Sequence, residues 1–192
     1  MLLTIKKKLL IMACLCLLMV AGYIINTALD SRLLVYGIFP GDIHSLLHFY
    51  TAPFLHGNLS HLTNNLTGFV IFGWLCLMRG IPAFLLSSLV IVTLSGLLIW
   101  LFGRPAYHIG ASGWIFGLWS LSIAIAWFDR NVLNIALALG VAFLYGGMIY
   151  GVLPNDPGVS WEAHLFGAVS GVVAAWLLAI KKNRSGKSYK LR

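Results

Sequence analysis

Six long apolar stretches fill most of this chain, and they restrict its fold more than any other feature does. Each is close to the ~20 residues that a helix needs to cross a bilayer. Sixty per cent of the 192 residues are hydrophobic and only 9% are charged, whereas soluble chains carry about 25% charged residues. The sequence therefore predicts an all-α membrane protein, a six-helix transmembrane bundle in one domain (residues 1–192). The stretches cover residues 9–28, 59–78, 81–102, 112–128, 132–152 and 162–180.

The distribution of lysine and arginine predicts the orientation of the bundle. Three lysines (6–8) precede the first stretch, six basic residues lie in the tail 181–192, and Arg79 and Arg130 fall in short internal turns. Because eleven of the 13 basic residues then lie on one side, we expect both termini to be cytoplasmic. The basic tail could also attract anionic lipid. No basic stripe alternates with aromatic residues, so nucleic acid is not an expected partner.

Residues 29–58 form the longest connection between two apolar stretches. They are rich in apolar and aromatic side chains, which a solvated loop would not need. We predict that this outer loop lies partly in the outer leaflet beside the bundle, whose core covers about residues 46–180. The first stretch, 9–28, is expected to be a retained helix and not a cleaved signal peptide, because no clear A-x-A site follows it.

Polar residues mark the starts of the second, fourth and sixth stretches. With this topology, His61, Ser112 and His164 each lie in the first turn of a helix that enters from the outer face. Polar side chains inside a membrane are expensive and usually face the bundle interior, which makes them functional candidates. A hydroxyl nucleophile, a base and hydrogen-bond donors could then meet at one depth, which indicates hydrolysis inside a membrane.

Ser112 is the candidate nucleophile, and it lies between Gly110 and Gly113. The alternative is a helix N-cap, because serine is among the residues preferred there. The flanking glycines favour the nucleophile, since they let another group approach the backbone closely and free N–H groups at a helix start can bind an oxyanion. Gly113-x3-Gly117 also forms a small-x3-small face for tight helix contact.

His164 is the candidate general base. Gly167-x3-Gly171 follows it, and packing this face against the serine helix would bring the imidazole beside the hydroxyl. The alternative is a histidine that only forms a hydrogen bond between helices. A serine hydroxyl needs a base at neutral pH, and Glu162, two residues away, points to a different helix face. The sequence therefore implies a Ser–His dyad and not a triad.

His61 and Asn65 are the candidate oxyanion donors. They are four residues apart and so project from one helix face, where each donor would contribute roughly 3 kcal/mol of transition-state stabilisation. The alternative is a structural hydrogen-bond network. His56 is expected to have a supporting role, bonding within the loop. Phe116, one turn into the serine helix, either packs against the base or fills the core.

The motifs together resemble a known family. They lie in TAPFLHGNLSHLTNNLTGFVIFG (51–73), HIGASGWIFG (108–117) and SWEAHLFGAVSG (160–171). In order, spacing and topology these segments resemble the rhomboid intramembrane serine proteases, over roughly residues 46–171.

The resemblance implies a rhomboid-like bundle of six helices with Ser112 as nucleophile and His164 as general base. It also implies that His61, Asn65 and the backbone N–H of Ser112 form the oxyanion site. Substrates would be transmembrane helices of other proteins, entering laterally and cut near the outer membrane face. No metal or cofactor is implied. We expect an integral, multi-pass protein of a bacterial inner membrane.

Two positions depart from the family pattern. Many relatives carry Trp-Arg in the first outer loop where this chain has Leu47-His48, which leaves the anchoring of that loop open. Several relatives have tyrosine where Phe116 stands, so the stacking ring is kept but its hydroxyl is not.

Two other classes of function remain open from the sequence. One is a non-catalytic protein that binds membrane clients, although such a protein has no reason to keep the dyad. The other is a channel, transporter or haem-binding bundle, in which His61 and His164 could face each other; an absorption spectrum would detect haem. A metalloprotease is disfavoured because no H-E-x-x-H sequence occurs. Substrate identity, cleavage site and oligomeric state are not specified by the sequence.

Overall fold

Six α-helices follow one another along the described part of the chain. The computed structural model describes residues 2–154, 156 and 158–185, so the predicted basic tail lies outside the described residues from position 186 onward. Within those ranges the one β-type pairing is an isolated bridge between Ile38 and His108, and the all-α prediction is confirmed. The helices are α1 (Leu2–Ala28), α2 (Leu59–Met78), α3 (Ile81–Phe102), α4 (Ser112–Phe128), α5 (Val132–Tyr145) and α6 (Trp161–Ser185).

The bounds of most helices agree with the apolar stretches, and the exceptions have local causes. α1 begins at Leu2 and α6 continues to Ser185, because lysines next to an apolar stretch are good helix formers. The fifth stretch was predicted as one helix, which is wrong at its C-terminal end. There α5 stops at Tyr145 and a 3₁₀ segment, Gly146–Val152, completes the stretch, since its glycines disfavour the α-helix.

Four helical segments in the described part of the chain are long and apolar enough to cross a membrane. They are α1, α3, α6 and the combination of α5 with its 3₁₀ segment. α4 is apolar but only 17 residues long. α2 begins with the polar run LSHLTNN, and it is not one of the four.

α4 lies at the centre of the bundle. Eleven of its 17 residues are buried, and it contacts α2, α3, α5 and α6. A helix that is apolar on every side is stable only when other helices surround it. α4 is therefore held in place by four neighbouring helices.

α4 and α6 pack backbone to backbone through the two predicted glycine faces. A Cβ added to Gly167 would overlap the carbonyl oxygen of Gly113, and one added to Gly171 would overlap the carbonyl oxygen of Gly117. The Ser120 hydroxyl joins the same interface by donating to the Ala168 carbonyl at 2.7 Å. This close approach confirms the predicted contact between the serine and histidine helices.

The loop 29–58 folds in short 3₁₀ turns over the end of the bundle at which α4 begins, which we call the outer end as a label only. Phe49 packs so closely on Gly96 of α3 that no Cβ could fit there. The Trp100 indole donates to the Asp42 carbonyl at 2.8 Å, and the His48 ring donates from Nδ1 to the Gly37 carbonyl at 3.0 Å. The loop thus packs beside α3 and is held internally by His48, whereas Leu47 is 68% exposed.

Charged and amide side chains tie the helices together at the end of the bundle opposite to Ser112, which we call the inner end as a label only. Arg79 follows α2, is buried, and donates to the Asn134 side chain of α5 at 2.6 Å. Asp129, at the end of α4, forms an ion pair with Lys182 of α6 at 2.5 Å. Burial alone would raise the pKa of Asp129, but its hydrogen bonds and the positive charge of Lys182 outweigh burial and lower the pKa.

Candidate active site

Ser112 is the first residue of α4, and its side chain does not act as the cap. The N-cap position is occupied by Ala111, which forms no side-chain capping bond, so the N-cap alternative for Ser112 is wrong. Gly110 has φ +98°, a left-handed conformation that favours glycine, and its N–H donates to the Ala52 carbonyl at 2.8 Å. This turn presents Ser112, which is half-buried, at the outer end of the central helix.

His164 lies in the first turn of α6, and its ring is held from two sides. Nδ1 is 2.8 Å from the carbonyl oxygen of Gly151. Because a carbonyl can only accept, Nδ1 must carry the proton, and Nε2 of the neutral ring keeps a lone pair. The ring of Phe116 stacks on the imidazole with centroids 4.1 Å apart and planes within 5°. Phe116 therefore packs against the candidate base, which was the first of its two predicted roles.

The contact between α4 and α6 brings the first turns of both helices together. A Cβ on Gly113, next to Ser112, would lie 3.1 Å from the carbonyl oxygen of Ala163, next to His164. Phe116, one turn after Ser112, already touches the imidazole. The structure thus places the serine and the histidine in one layer at the outer end of the bundle, with the protonated nitrogen of the imidazole bonded to Gly151.

His61 contacts the turn that precedes Ser112. A Cβ on Gly110 would overlap Nε2 and Cε1 of the His61 ring, so only glycine leaves room for this imidazole. The side chain of Asn58 caps α2 by accepting from the His61 backbone N–H at 2.8 Å. His61 therefore lies against the turn at Gly110 that precedes Ser112.

Asn65 lies one turn below His61 on the same face of α2, as predicted from their spacing. It is 5% exposed, and its amide nitrogen donates to the His61 carbonyl at 2.7 Å. Its Oδ1 is buried without a hydrogen-bond partner. One amide hydrogen is thus used within the helix, and the other is left for a further acceptor.

His56 is fully buried behind His61, with ring centroids 5.0 Å apart in an edge-to-face arrangement. Neither ring nitrogen forms a well-aligned hydrogen bond, although the backbone of Phe54, in the same loop, interacts with the ring. The main-chain carbonyl of His56 accepts a long hydrogen bond from the Asn26 amide at 3.5 Å. Burial first and His61 second lower the pKa of His56 to about 4, although the backbone of Phe54 opposes this.

Two groups near the candidate base were not predicted from the sequence. One is the Gly151 carbonyl; the other is His108, whose Nε2 donates to the Arg104 carbonyl at 3.0 Å. Nδ1 of His108 therefore accepts from the Ser160 hydroxyl at 2.5 Å. The sequence did carry a signal for Ser160, because serine is a preferred N-cap residue and Ser160 directly precedes the apolar run of α6. The pKa of His108 is lowered, mainly by burial.

No group of three or more metal-binding side chains lies close together in residues 2–154, 156 and 158–185. Glu162 is buried and forms an ion pair with Arg104 at 3.4 Å, so its carboxylate is directed to that arginine. The chemistry offered by the site is that of a hydroxyl, an imidazole and hydrogen-bond donors.

These features agree with the comparisons to known proteins. The Rhomboid domain family model matches residues 44–181. The chain is 38% identical over 171 residues to an uncharacterized protein of Mycobacterium tuberculosis, covering 84% of this chain and 71% of that protein. It is 35% identical over 158 residues to Rhomboid-like protein 11, chloroplastic, of Arabidopsis thaliana, covering 68% and 52%. The chain belongs to the rhomboid family, as its motifs indicated, and is an integral membrane protein.

Proposed function

We propose that this protein is an intramembrane serine endopeptidase that cleaves transmembrane segments of other membrane proteins. The observation that carries the proposal is the state of His164. Its Nδ1 is occupied by a carbonyl and one face is covered by Phe116, which leaves the Nε2 lone pair to accept a proton. The backbone contact between Gly113 and Ala163 supports a position beside Ser112.

In the proposed reaction, the Ser112 hydroxyl attacks the carbonyl carbon of the scissile peptide while its proton passes to Nε2 of His164. The oxyanion accepts hydrogen bonds from His61, Asn65 and the Ser112 backbone N–H. His164 then donates its proton to the leaving amine, which leaves an acyl-enzyme. Water attacks that ester while Nε2 of His164 takes its proton. His164 then returns the proton to Oγ of Ser112 as the bond between Oγ and the acyl carbon breaks, which releases the carboxylic acid product and restores the hydroxyl.

The proposal includes a topology. All six apolar stretches cross the membrane, both termini are cytoplasmic, and the active site faces the outer side of a bacterial inner membrane. The basic residues that follow α2 and α4 support this, because Arg79 is at the end of the bundle opposite to Ser112. The mycobacterial relatives support a bacterial source. Reporter fusions at Arg79 and Arg104 should read inside and outside, respectively.

Cleavage of a fluorescent transmembrane peptide in liposomes tests the function. Ser112→Ala and His164→Ala should each lower the cleavage rate at least about a thousandfold, because the nucleophile and the base act together and loss of either removes the contribution of both. Ser122→Ala is the matched control: this buried α4 serine only bonds back to the Leu118 carbonyl at 2.8 Å, so activity should persist. A non-catalytic client binder would instead retain the peptide without any cleavage by the wild type.

A further inference from the structure

The candidate base lacks the carboxylate that orients the histidine of a serine protease triad. Glu162 is committed to Arg104, and Asp129 lies at the inner end with Lys182. Nδ1 of His164 nevertheless has a partner, the main-chain carbonyl oxygen of Gly151 at 2.8 Å. A hydrogen bond at one ring nitrogen decides which nitrogen is free to act as base.

The 3₁₀ segment Gly146–Val152 places this carbonyl by its backbone conformation. Met148 and Val152 pack on the hydrophobic core, and the segment contacts α6, which fixes its position beside His164. Gly146 and Gly147 have open space where a Cβ would be, but a Cβ on Gly151 would lie 2.7 Å from Cζ of Phe116 and 3.4 Å from Nδ1 of His164. Only a residue without a side chain can bring its carbonyl this close to the stacked rings.

We propose that the Gly151 main-chain carbonyl is a positioning group that takes the role of the triad carboxylate, and that the 3₁₀ segment exists to present it. The inference rests on the proposed function, since it assigns an orienting partner to the proposed base. An acceptor at Nδ1 stabilises the tautomer in which Nε2 is unprotonated, and it holds the ring plane parallel to Phe116. A carbonyl performs both tasks without placing a charge in the membrane.

Two alanine substitutions in the same segment separate positioning from general packing. Gly151→Ala forces a methyl group against Phe116 and His164, whereas Gly147→Ala places one in open space. We expect Gly151→Ala to lower kcat about tenfold or more with KM nearly unchanged, and Gly147→Ala to behave as the wild type. Equal losses in both variants would overturn the proposal.

The ¹⁵N NMR spectrum of the His164 imidazole reports its tautomer, which would not change if Gly151 had only a structural role. In histidine-labelled wild type, the His164 signals, identified by their loss in His164→Ala, should show a protonated Nδ1 and an unprotonated Nε2. In Gly151→Ala they should shift toward the opposite tautomer. An unchanged spectrum together with an unchanged kcat would refute the inference. The spectrum does not depend on activity, so an inactive wild type would refute the proposed function alone.

A backbone substitution covers the case in which Gly151→Ala does not fold. Replacing Val152 by its α-hydroxy acid turns the preceding amide into an ester, which weakens the Gly151 carbonyl as an acceptor without adding atoms. The same exchange at Leu153, whose N–H bonds to the Tyr150 carbonyl at 3.2 Å, is the control. Slower cleavage only with the ester at position 152 supports the inference, and equal rates contradict it.

Discussion

The buried ring of His56 makes the stability of this protein depend on pH, and the size of the effect follows from its surroundings. The side chain is 0% exposed and lies edge-on to His61. Burial and this neighbour lower the pKa of His56 from 6.5 to about 4. The ring therefore stays neutral in the folded protein at a pH at which the unfolded chain would already bind a proton.

The sign and magnitude follow from this difference in proton binding. Between pH 6.5 and pH 4 the unfolded state holds the extra proton, so stability falls as the pH is lowered. A pKa lowered from 6.5 to about 4 corresponds to about 3.5 kcal/mol, because each pKa unit is worth about 1.4 kcal/mol. The full stability is present above pH 6.5, and the loss is complete near pH 4.

The test compares the wild type with His56→Leu, which fills the pocket with an apolar side chain and cannot gain a proton. Unfolding in mixed micelles, followed by tryptophan fluorescence, gives the free energy of unfolding at about pH 7.5 and about pH 4.5. The wild type should lose about 2–3 kcal/mol more than the variant between these values. Titrating groups that the two proteins share cancel in this difference. Equal losses in both proteins would refute the argument.

Two further substitutions test the packing at either end of the bundle. Gly167→Ala should destabilise the protein by about 1–3 kcal/mol through overpacking and should slow cleavage, because its methyl group overlaps the α4 backbone. The control is Gly140→Ala, which places a methyl group in open space on α5 and should not destabilise the protein. Equal shifts of the thermal unfolding temperature in the two variants would contradict this prediction. Arg79→Met should cost about 1–3 kcal/mol by leaving the buried Asn134 oxygen without its donor, while Arg130→Met at an exposed position should cost almost nothing. Chemical unfolding of the two arginine variants measures the difference, and a similar cost for both would count against a structural role of Arg79.

Much of the fold could be predicted because a membrane environment requires long apolar segments, and these are visible in the sequence. α2, α3 and α4 begin and end where the apolar stretches do, since an apolar segment that is kept from water must satisfy its backbone hydrogen bonds internally. The contact between α4 and α6 was predictable for a similar reason: Gly113 and Gly167 are the small residues that allow helices to approach. The 3₁₀ geometry that follows α5 was not predicted, although Gly146, Gly147 and Gly151 were visible in the sequence as residues that disfavour the α-helix.

The supporting groups of the site could not be predicted from the sequence. The Gly151 carbonyl acts through the backbone, and every residue has a carbonyl, so no residue type marks it. His108 was visible only as one more outer histidine; its bond to Ser160 depends on a tertiary contact between residues 52 positions apart. The helix starts carry a sequence signal, whereas their fixed relative positions arise only once the chain has folded.

Four glycines allow the groups of the site to approach one another because they have no side chain. Gly110 makes room for the His61 ring, Gly113 and Gly167 let the serine and histidine helices touch, and Gly151 brings a carbonyl against Phe116 and the proposed base. At each of these positions a methyl group would either collide or push apart two groups that must meet. Each glycine costs conformational entropy on folding, and the close backbone packing that it permits offsets that cost. Stability and the proposed catalytic geometry therefore depend on the same contacts, so a variant that loosens the α4–α6 interface should lose stability and cleavage activity together.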